Sequence, residues 1–372
     1  MADLLREIKA KWNPQQLPPS GTFDGQTVLV TGGTSGLGLA TAKHFATLGA
    51  AKVIITYRNK PRAETARQQI ETAARAAGSG QVVIEMMELD LTRYSSCISF
   101  VDELVRRTNG IDIAILNAGT FNPEFVLSPE GWYVFIACLP HWDLADVYHL
   151  LREETIQTNT LCTSLLAILL IKWMKATRQN RQSPASLVIV SSGRHLTPDI
   201  SEWPEWEKRD GGILLHFKDP SNWPSGGGPD AMYATSKLLL MYAFEDICKL
   251  AVDEKGEPEV IVKSVCPGIC NTDLQRTLKK RSLVARMAIP ILMSIVGKSP
   301  ELGGRYLLAA ALAGPEKHGK FIRFYLTDEE FRTNSIPVIT SPAGRRAQAM
   351  VWKEVSAELA TKVPGLQITA SQ

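Results

Sequence analysis

Thr-Val-Leu-Val-Thr-Gly-Gly-Thr-Ser-Gly-Leu-Gly occupies residues 27–38 and joins a short β-branched run to a glycine-rich turn. The next segment, residues 39–48, has the apolar spacing of a helix, so the sequence predicts a strand, a turn and a helix. Glycine lets the backbone approach a pyrophosphate, and the start of a helix offers free N–H groups. The turn therefore predicts a dinucleotide-binding cradle made of Gly32, Thr34, Ser35, Gly36, Leu37 and Gly38. No Lys-Ser or Lys-Thr pair follows, which argues against a P-loop.

Strand-like and helix-like segments alternate along the rest of the chain. We expect strands at 52–56, 82–88, 111–116, 186–191, 260–266 and about 321–325, and helices at 63–77, 95–107, 155–176, around Tyr233 and at 300–313. This βαβ repetition implies a parallel sheet with helices on both faces. The expected fold class is α/β, a single Rossmann-type doubly wound domain with about seven parallel strands.

Composition narrows the class of partner. The net charge is +3 over 372 residues, and the basic residues form no runs, so neither nucleic acid nor an anionic membrane is indicated. The six scattered cysteines form no C-x-x-C pair, which favours reduced thiols over zinc or disulfides and predicts no metal site. The longest apolar stretches, 161–171 and 283–296, are shorter than the roughly 20 residues that a spanning helix needs. Without a secretory signal at the N-terminus, we expect a cytoplasmic protein with a small-molecule partner. Peripheral membrane contact stays open.

Tyr233 and Lys237 are four residues apart, so a helix would place both on one face. The ammonium is expected to favour the phenolate and to lower the pKa of Tyr233 from its reference of about 10, and with the charge of the cofactor added the lowering could reach about 2. Such pairs are also common on ordinary helices. Here Ser191 and Ser192 follow a predicted strand upstream, which favours an acid/base site.

Five motifs, in chain order, resemble those of the short-chain dehydrogenase/reductase family. They are the 31–38 turn, Asn117-Ala118-Gly119, Ser192, Tyr233-x-x-x-Lys237 and Pro267-Gly268, and the match spans about residues 26–275. Segments 191–195, 308–314 and 348–354 further resemble retinol-dehydrogenase-like members of that family, especially fungal reductases of secondary metabolism. The resemblance implies an oxidoreductase with a nicotinamide cofactor.

The resemblance also implies catalytic roles. Tyr233 would transfer the proton, Lys237 would tune its pKa and bind the ribose, and Ser192 would hold the substrate oxygen, with Ser191 as the alternative serine. Asn159, in Thr158-Asn159-Thr160-Leu161, resembles the family's asparagine that helps hold a water in the proton relay. Ser192, Asn117 and Pro267 all follow predicted strands, where open parallel sheets bind ligands.

The segment after the second predicted strand indicates which cofactor is used. Thr56-Tyr57-Arg58-Asn59 lacks the acidic residue that binds the ribose of NAD, and Arg58 could bind a 2′-phosphate, so NADP(H) is favoured. By resemblance, Asp90 and Leu91 would contact the adenine, and Asn117 would support the sheet near the cofactor. Thr272, after Pro267, would contact the nicotinamide carboxamide.

The resemblance divides the chain into a domain with additions. Residues 1–25 form an N-terminal extension, 26–330 the catalytic domain, and 331–372 a C-terminal extension expected to pack on that domain. Residues 193–230 form an enlarged substrate loop, and 274–298 an apolar lid. Three tryptophans of the loop either line a pocket for a bulky apolar ligand or pack on each other: Trp203, Trp206 and Trp223.

Residues 133–152 are an atypical insertion, since their removal restores the usual family spacing before Asn159. Trp132 is encoded by TGG, and Tyr133-Val134 can be encoded by TAT-GTN, which would give G-GTATGT, a common fungal intron start. Arg152 can supply a closing AG. The insertion is therefore either a genuine loop or a translated, unspliced intron.

The leading interpretation is an NADP(H)-dependent enzyme that interconverts a carbonyl and an alcohol on a hydrophobic small molecule, with ketone reduction as the expected direction. Two alternatives stay open. One is a cyclase or isomerase on the same fold without net redox change, and the other is a non-catalytic NADP-binding sensor. A homo-oligomer is also open, because the extensions could block or create an interface.

Overall fold

The computed structural model describes residues 2–79, 81–131, 153–224, 228–272, 293–323 and 326–368. Most of the predicted lid, the whole 133–152 insertion, and residues 324–325 of the last predicted strand lie outside these ranges. The statements below concern the described residues.

The core is a parallel sheet of seven strands in the order β3-β2-β1-β4-β5-β6-β7. The strands are β1 (Thr27–Val30), β2 (Lys52–Tyr57), β3 (Val83–Glu88), β4 (Ile113–Leu116), β5 (Ala185–Val190), β6 (Val260–Val265) and β7 (Phe321–Ile322). Strand order reverses between β1 and β4, and such a switch point opens a crevice at the carboxyl ends of the strands. The predicted α/β doubly wound fold is confirmed.

Eleven helices surround this sheet within the described ranges. They are α1 (Ala2–Trp12), α2 (Gly36–Thr47), α3 (Lys60–Ala76), α4 (Tyr94–Arg107), α5 (Glu154–Ala176), α6 (Trp203–Asp210), α7 (Ile213–His216), α8 (Ala231–Lys249), α9 (Pro300–Leu312), α10 (Asp328–Ser335) and α11 (Pro342–Lys362). Apolar side chains of α2, α3 and α9 cover one face of the sheet, and those of α4, α5, α8 and α11 cover the other. The sheet is therefore buried on both faces, as its near-continuous apolar strands require.

Helix α5 differs from a regular helix at its start, where residues Gln157–Cys162 form a π-helical turn. The helix is long and apolar enough to cross a membrane, but 89% of its apolar window is buried inside the structure. It is packed as a core helix, and Asn159 lies in the π-helical turn.

Both chain extensions contain helices that the sequence did not predict. Val351, Val355 and Leu359 of α11 are fully buried, and the helix packs on α8. The Glu354 carboxylate accepts hydrogen bonds from the backbone N–H groups of Ile213 and Leu214, each over 2.7 Å. The C-terminal extension thus caps α7 and holds part of the enlarged substrate loop against the domain.

Candidate active site

A cleft of about 1360 Å³ lies at the carboxyl ends of the strands. It is lined by thirteen of the sequence-predicted residues, namely Gly32, Thr34, Ser35, Gly36, Leu37, Arg58, Leu91, Asn117, Ser192, Tyr233, Lys237, Pro267 and Thr272. Three others stand behind the lining: Gly38, Asp90 and Asn159. The fold therefore brings the glycine-rich turn and the Tyr233 helix to one cavity, although about 200 residues separate them in sequence.

The glycine-rich turn needs glycine for two different reasons. Gly32 and Gly36 have positive φ angles of +66° and +51°, which side chains other than glycine rarely adopt. Gly38 has no room instead, since a Cβ there would lie 2.3 Å from the Gly32 carbonyl oxygen and 2.6 Å from Asn117 Nδ2. The Gly32 N–H donates to Thr56 Oγ1 over 3.1 Å, which ties the turn to the end of β2.

Asn117 fixes the floor of the cleft by joining the ends of β1 and β4. Its Nδ2 donates to the Thr31 carbonyl oxygen over 3.0 Å, and its backbone N–H donates to Thr31 Oγ1 over 2.9 Å. The Ala118 N–H reaches the same hydroxyl over 3.0 Å. Asn117 therefore supports the sheet beside the predicted cofactor site, the place that the resemblance implied for it.

Ser192 and Tyr233 both line the cleft, and the Ser192 side chain lies near enough to Tyr233 to lower its pKa. Ser192 Oγ also accepts the Arg194 N–H over 3.3 Å, which holds the serine at the start of the turn after β5. The alternative serine, Ser191, has a buried Oγ with no hydrogen-bond partner among the described residues. This geometry favours Ser192 as the group that holds the substrate oxygen.

The electrostatics of the Tyr233–Lys237 pair differ from the expectation. Lys237 Nζ lies 5.8 Å from the centre of the Tyr233 ring and donates to the Val190 carbonyl oxygen over 3.0 Å. Burial raises the pKa of Tyr233 to about 12, an effect that the Ser192 side chain only partly offsets. Burial also lowers the pKa of Lys237 to about 8, which weakens its charge. The predicted lowering of the Tyr233 pKa by Lys237 is wrong for the protein alone, because desolvation outweighs the distant ammonium.

Asn159 lies directly behind the cleft and is completely buried. Its Oδ1 accepts the Thr120 N–H over 2.9 Å, and its Nδ2 donates to the Thr120 carbonyl oxygen over 2.9 Å and to Ser236 Oγ over 3.0 Å. The side-chain amide thus connects α5, the segment after β4, and the helix of Tyr233. In this structure Asn159 has the contacts of a positioning residue, and its water-holding role stays a prediction.

Two arginines that follow β2 in the sequence line the cleft. Arg58 lines it as predicted, and Arg62, in the first turn of α3, lines it as well. Asn59 Oδ1 accepts the Arg62 N–H over 3.0 Å and begins this helix. The sequence offered a signal for Arg62, since Asn-Lys-Pro is a typical helix start that points the first turn at the cleft.

Of the two residues predicted to contact the adenine, Asp90 and Leu91, one lines the cleft and the other does not. Leu91 lines the cleft. Asp90 Oδ1 instead accepts the Thr92 N–H over 3.0 Å and the Thr92 hydroxyl over 2.8 Å. Asp90 therefore shapes the loop after β3 from behind.

The three tryptophans of the enlarged loop pack on protein groups and do not line the cleft. Trp203 is 1% exposed and lies against Trp206, whose ring stacks on His216 with centroids 3.8 Å apart. Trp223 contacts Phe125 edge-on, with centroids 5.7 Å apart. Of the two interpretations of this loop, self-packing fits the structure. The apolar lining comes from other residues: Phe121, Leu196, Ile269, Met293 and Val296.

Besides Arg62, other charged residues of the cleft lining were not found from the sequence, among them Arg194, Asp230, Arg323 and Glu7. Arg194 and Asp230 form an ion pair of 2.6 Å that joins the Ser192 turn to the start of α8. Arg323 lies beside Gly193, where a Cβ would be 3.3 Å from its Cζ, and Glu7 reaches the cleft from the N-terminal helix. Glu7 and Arg323 come from segments distant in sequence from the motifs, so only the folded chain places them here, whereas Arg194 and Asp230 lie within three residues of Ser192 and Tyr233.

The residues of the cleft lining are of the kinds that a dinucleotide site needs. Glycines at one side leave backbone space, and a Cβ on Gly36 would already lie 3.3 Å from Thr272 Cβ across the cleft. Guanidinium groups stand at one end, and the Ser192–Tyr233 pair stands on the other side of the glycine-rich turn. These residues would hold a nicotinamide dinucleotide with its reactive ring near Tyr233.

Comparisons with known proteins agree with this geometry. A family model described as short chain dehydrogenase matches residues 26–201. The short-chain dehydrogenase/reductase phmF of Phaeosphaeria nodorum is 30% identical over 367 residues, which cover 95% of each chain. The short-chain dehydrogenase/reductase ffsI of Aspergillus flavipes is 29% identical over 381 residues, covering 100% of this chain and 99% of that protein.

Solved structures share the fold at lower identity. Pseudomonas aeruginosa RhlG, in a complex with NADP, has a TM-score of 0.54 and 18% identity, and the match covers 83% of this chain and 100% of that one. A Shigella flexneri short chain dehydrogenase complexed with NADP has a TM-score of 0.52 and 16% identity, covering 81% and 98%. These structures share the fold, and the similarity to phmF over 95% of each chain shows that this chain belongs to the short-chain dehydrogenase/reductase family of nicotinamide-dependent oxidoreductases.

Proposed function

We propose that the protein is an NADP(H)-dependent reductase that converts a ketone into an alcohol on a hydrophobic small molecule of secondary metabolism. One observation carries the proposal: Ser192, Tyr233 and Lys237 lie in the same cleft as the glycine-rich turn. The names of the fungal relatives support the class of enzyme, and apolar side chains in the lining, such as Phe121, Leu196 and Met293, support an apolar substrate.

The bound nicotinamide would supply the hydride. The Ser192 hydroxyl would hold the substrate oxygen beside Tyr233, and Tyr233 would donate a proton to that oxygen as it gains negative charge. With a pKa of about 12, Tyr233 is fully protonated at neutral pH, the form that reduction requires. In ketone reduction Tyr233 acts from this protonated form, as the acid.

The choice of NADP(H) is supported by the two guanidinium groups at the adenine end. Arg58 and Arg62 both line the cleft, and the described cleft lining after β2 contains no acidic side chain at residues 56–62. A 2′-phosphate there would be bound by charge-assisted hydrogen bonds, whereas an acidic residue would repel it.

The activity is tested with purified protein, NADPH and a panel of aryl and alkyl ketones, by following nicotinamide absorbance together with product mass. Tyr233→Phe should lose at least about 100-fold in kcat because it removes the proton donor, while it keeps its affinity for NADPH. Equal reduction by both proteins would remove Tyr233 from the mechanism. A product of unchanged mass without NADPH consumption would favour the isomerase alternative.

Cofactor choice has its own test. Arg58→Ala should raise the KM for NADPH by roughly 10-fold or more and leave the KM for NADH nearly unchanged, because only NADPH carries the phosphate. Arg75→Ala, in the last turn of α3 and outside the cleft lining, is the matched control. If Arg58→Ala changes both KM values equally, Arg58 does not select the cofactor.

A further inference from the structure

A buried ion pair joins the N-terminal extension to the cleft. Glu7 of α1 and Lys298 are 2.7 Å apart from Oε2 to Nζ, and their side chains are 8% and 0% exposed. Glu7 itself lines the cleft. Removing two charges from water costs free energy that their attraction need not recover, and a contact at the surface could attach a helix without that cost. A buried pair is therefore weak evidence for a role in stability alone.

The ion pair contacts segment 267–272, which lines the cleft across from the glycine-rich turn. A Cβ on Gly268 would lie 2.2 Å from Glu7 Oε2 and 2.5 Å from Lys298 Nζ, so the two charged groups lie in contact with the backbone at Gly268. The Ile269 N–H points to Glu7 Oε2 over 3.4 Å. Gly268, with φ of +75°, can adopt the conformation that this contact imposes.

The backbone of Lys298 holds the same segment from the other side. Its N–H donates to the Ile269 carbonyl oxygen over 2.8 Å, and its carbonyl oxygen accepts the Asn271 N–H over 2.9 Å. Thr272, the next residue, faces Gly36 across the cleft. The position of Glu7 is therefore transmitted, through one ion pair and three backbone contacts, to the wall of the predicted nicotinamide pocket.

Other contacts anchor α1 without reaching the cleft. Arg6 pairs with Glu330 at 2.8 Å, and both side chains are about 40% exposed (40% and 39%). Tyr306 Oη donates to the Ala10 carbonyl oxygen over 3.3 Å. These contacts attach the helix elsewhere, and Glu7 is the residue of α1 that contacts segment 267–272 and Lys298 among the described hydrogen bonds.

We propose that α1 is part of the cofactor site and that Glu7 is a positioning residue, which through Lys298 and Ile269 holds segment 267–272 in the shape that binds the nicotinamide half of the cofactor. This inference rests on the proposed function only in requiring a nicotinamide cofactor. It assigns a role to the N-terminal extension, which lies outside the part of the chain matched by the family model.

The test compares two ligands on folded protein. NADPH spans the whole cleft, whereas 2′,5′-ADP carries only the adenosine half, so each dissociation constant is measured by calorimetry for wild type, Glu7→Gln and Arg6→Gln. Glu7→Gln should weaken NADPH binding by about 10-fold or more and leave 2′,5′-ADP binding within about 2-fold. Arg6→Gln, which breaks the exposed pair on the same helix, should change neither.

A second variant covers the case in which Glu7→Gln fails to fold because it leaves Lys298 charged and unpaired. Glu7→Leu with Lys298→Met removes both charges, so it should be more stable than Glu7→Gln. It should still bind NADPH at least about 5-fold more weakly than wild type, since the Ile269 contact is lost. Thermal unfolding is recorded for every variant.

Two results would overturn the proposal: a lower melting temperature with unchanged NADPH affinity, or equal weakening of both ligands. The first would mean that Glu7 only stabilises the fold, and the second that the whole cleft has loosened. Wild type is also titrated with NADH; if it binds that cofactor instead, NADH and 5′-ADP replace the two ligands. Wild type that binds neither cofactor would instead refute the proposed function, and the inference with it.

Discussion

Asn159 Nδ2 donates a hydrogen bond to Ser236 Oγ over 3.0 Å, and this contact joins the π-helical turn of α5 to the helix that carries Tyr233 and Lys237. Ser236 Oγ in turn donates to the Tyr233 carbonyl oxygen over 2.8 Å. The catalytic helix is therefore positioned from behind by a buried polar chain, and the geometry of Tyr233 depends on residues that need not touch a ligand.

Asn159→Ala should reduce kcat by about 10–100-fold, because a small misplacement of a catalytic group has a large effect on rate. Thr160→Val is the matched control, since Thr160 Oγ1 donates to the carbonyl oxygen of the same Ser236 over 2.8 Å but makes no bond to Thr120. We expect this control to lower the melting temperature and to leave kcat within about 3-fold. Steady-state kinetics and thermal unfolding decide; equal loss of kcat in both variants would show that Asn159 has no special role.

Lys237 and Tyr233 differ in whether they titrate in the pH range of an activity measurement. Tyr233, with a pKa of about 12, does not titrate between pH 6 and 10, whereas Lys237 loses its charge as pH rises through about 8. The value of kcat/KM for NADPH, at saturating ketone, should therefore be level below pH 8 and fall above it. A profile that stays level to pH 10 would mean that the charge of Lys237 does not matter.

Unfolding does not explain that fall. The pKa of Lys237 is lowered from 10.5 to about 8 by folding, so above pH 8 the unfolded chain binds more protons than the folded protein. This lysine then makes the protein more stable as pH rises through 8. Lys237→Met serves as the control, with a lower but level kcat/KM over the same range and without this contribution to stability.

Gly38→Ala should abolish tight cofactor binding and lower the free energy of unfolding by about 2 kcal/mol or more, because the added Cβ would overlap the Gly32 carbonyl oxygen at 2.3 Å. Gly78→Ala is the control variant for Gly38→Ala. Gly78 has a positive φ of +68° but open space around its Cβ position, so only backbone strain of about 1 kcal/mol is expected, with normal binding. Denaturant unfolding and NADPH titration separate the two effects, and equal losses in the two variants would contradict this distinction.

Local sequence was sufficient for the sheet and for the residues that follow its strands. Apolar strand-like segments alternate with helix-like segments along the chain, and Gly32, Asn117 and Ser192 reach the cleft because parallel strands end at one edge. The Glu7–Lys298 pair could not be predicted, since it joins residues 291 positions apart and neither belongs to a motif. The raised pKa of Tyr233 was missed for a related reason: spacing along a helix gives the distance to Lys237 but not the degree of burial.

The ends of the 133–152 insertion are held together by the described residues on either side of it. Leu127 and Glu153 form an antiparallel bridge, and the Glu154 N–H donates to the Val126 carbonyl oxygen over 2.8 Å. Deleting residues 133–152 leaves residues 128–132, five residues, between the two bridged positions. A loop of that length is ordinary for paired segments, so the flanking structure does not require the insertion.

We therefore expect the protein lacking residues 133–152 to fold, to melt within a few degrees of the full chain, and to keep kcat/KM within about 3-fold, because shortening the chain between two bridged positions has a small entropic effect. A variant with those 20 residues replaced by a Gly-Ser linker is the control. If both variants lose NADPH binding, the segment contributes to the site and is a genuine loop. Sequencing the mature transcript tests the intron hypothesis directly: a message that retains these codons would refute it, and one without them would make the shorter protein the native enzyme.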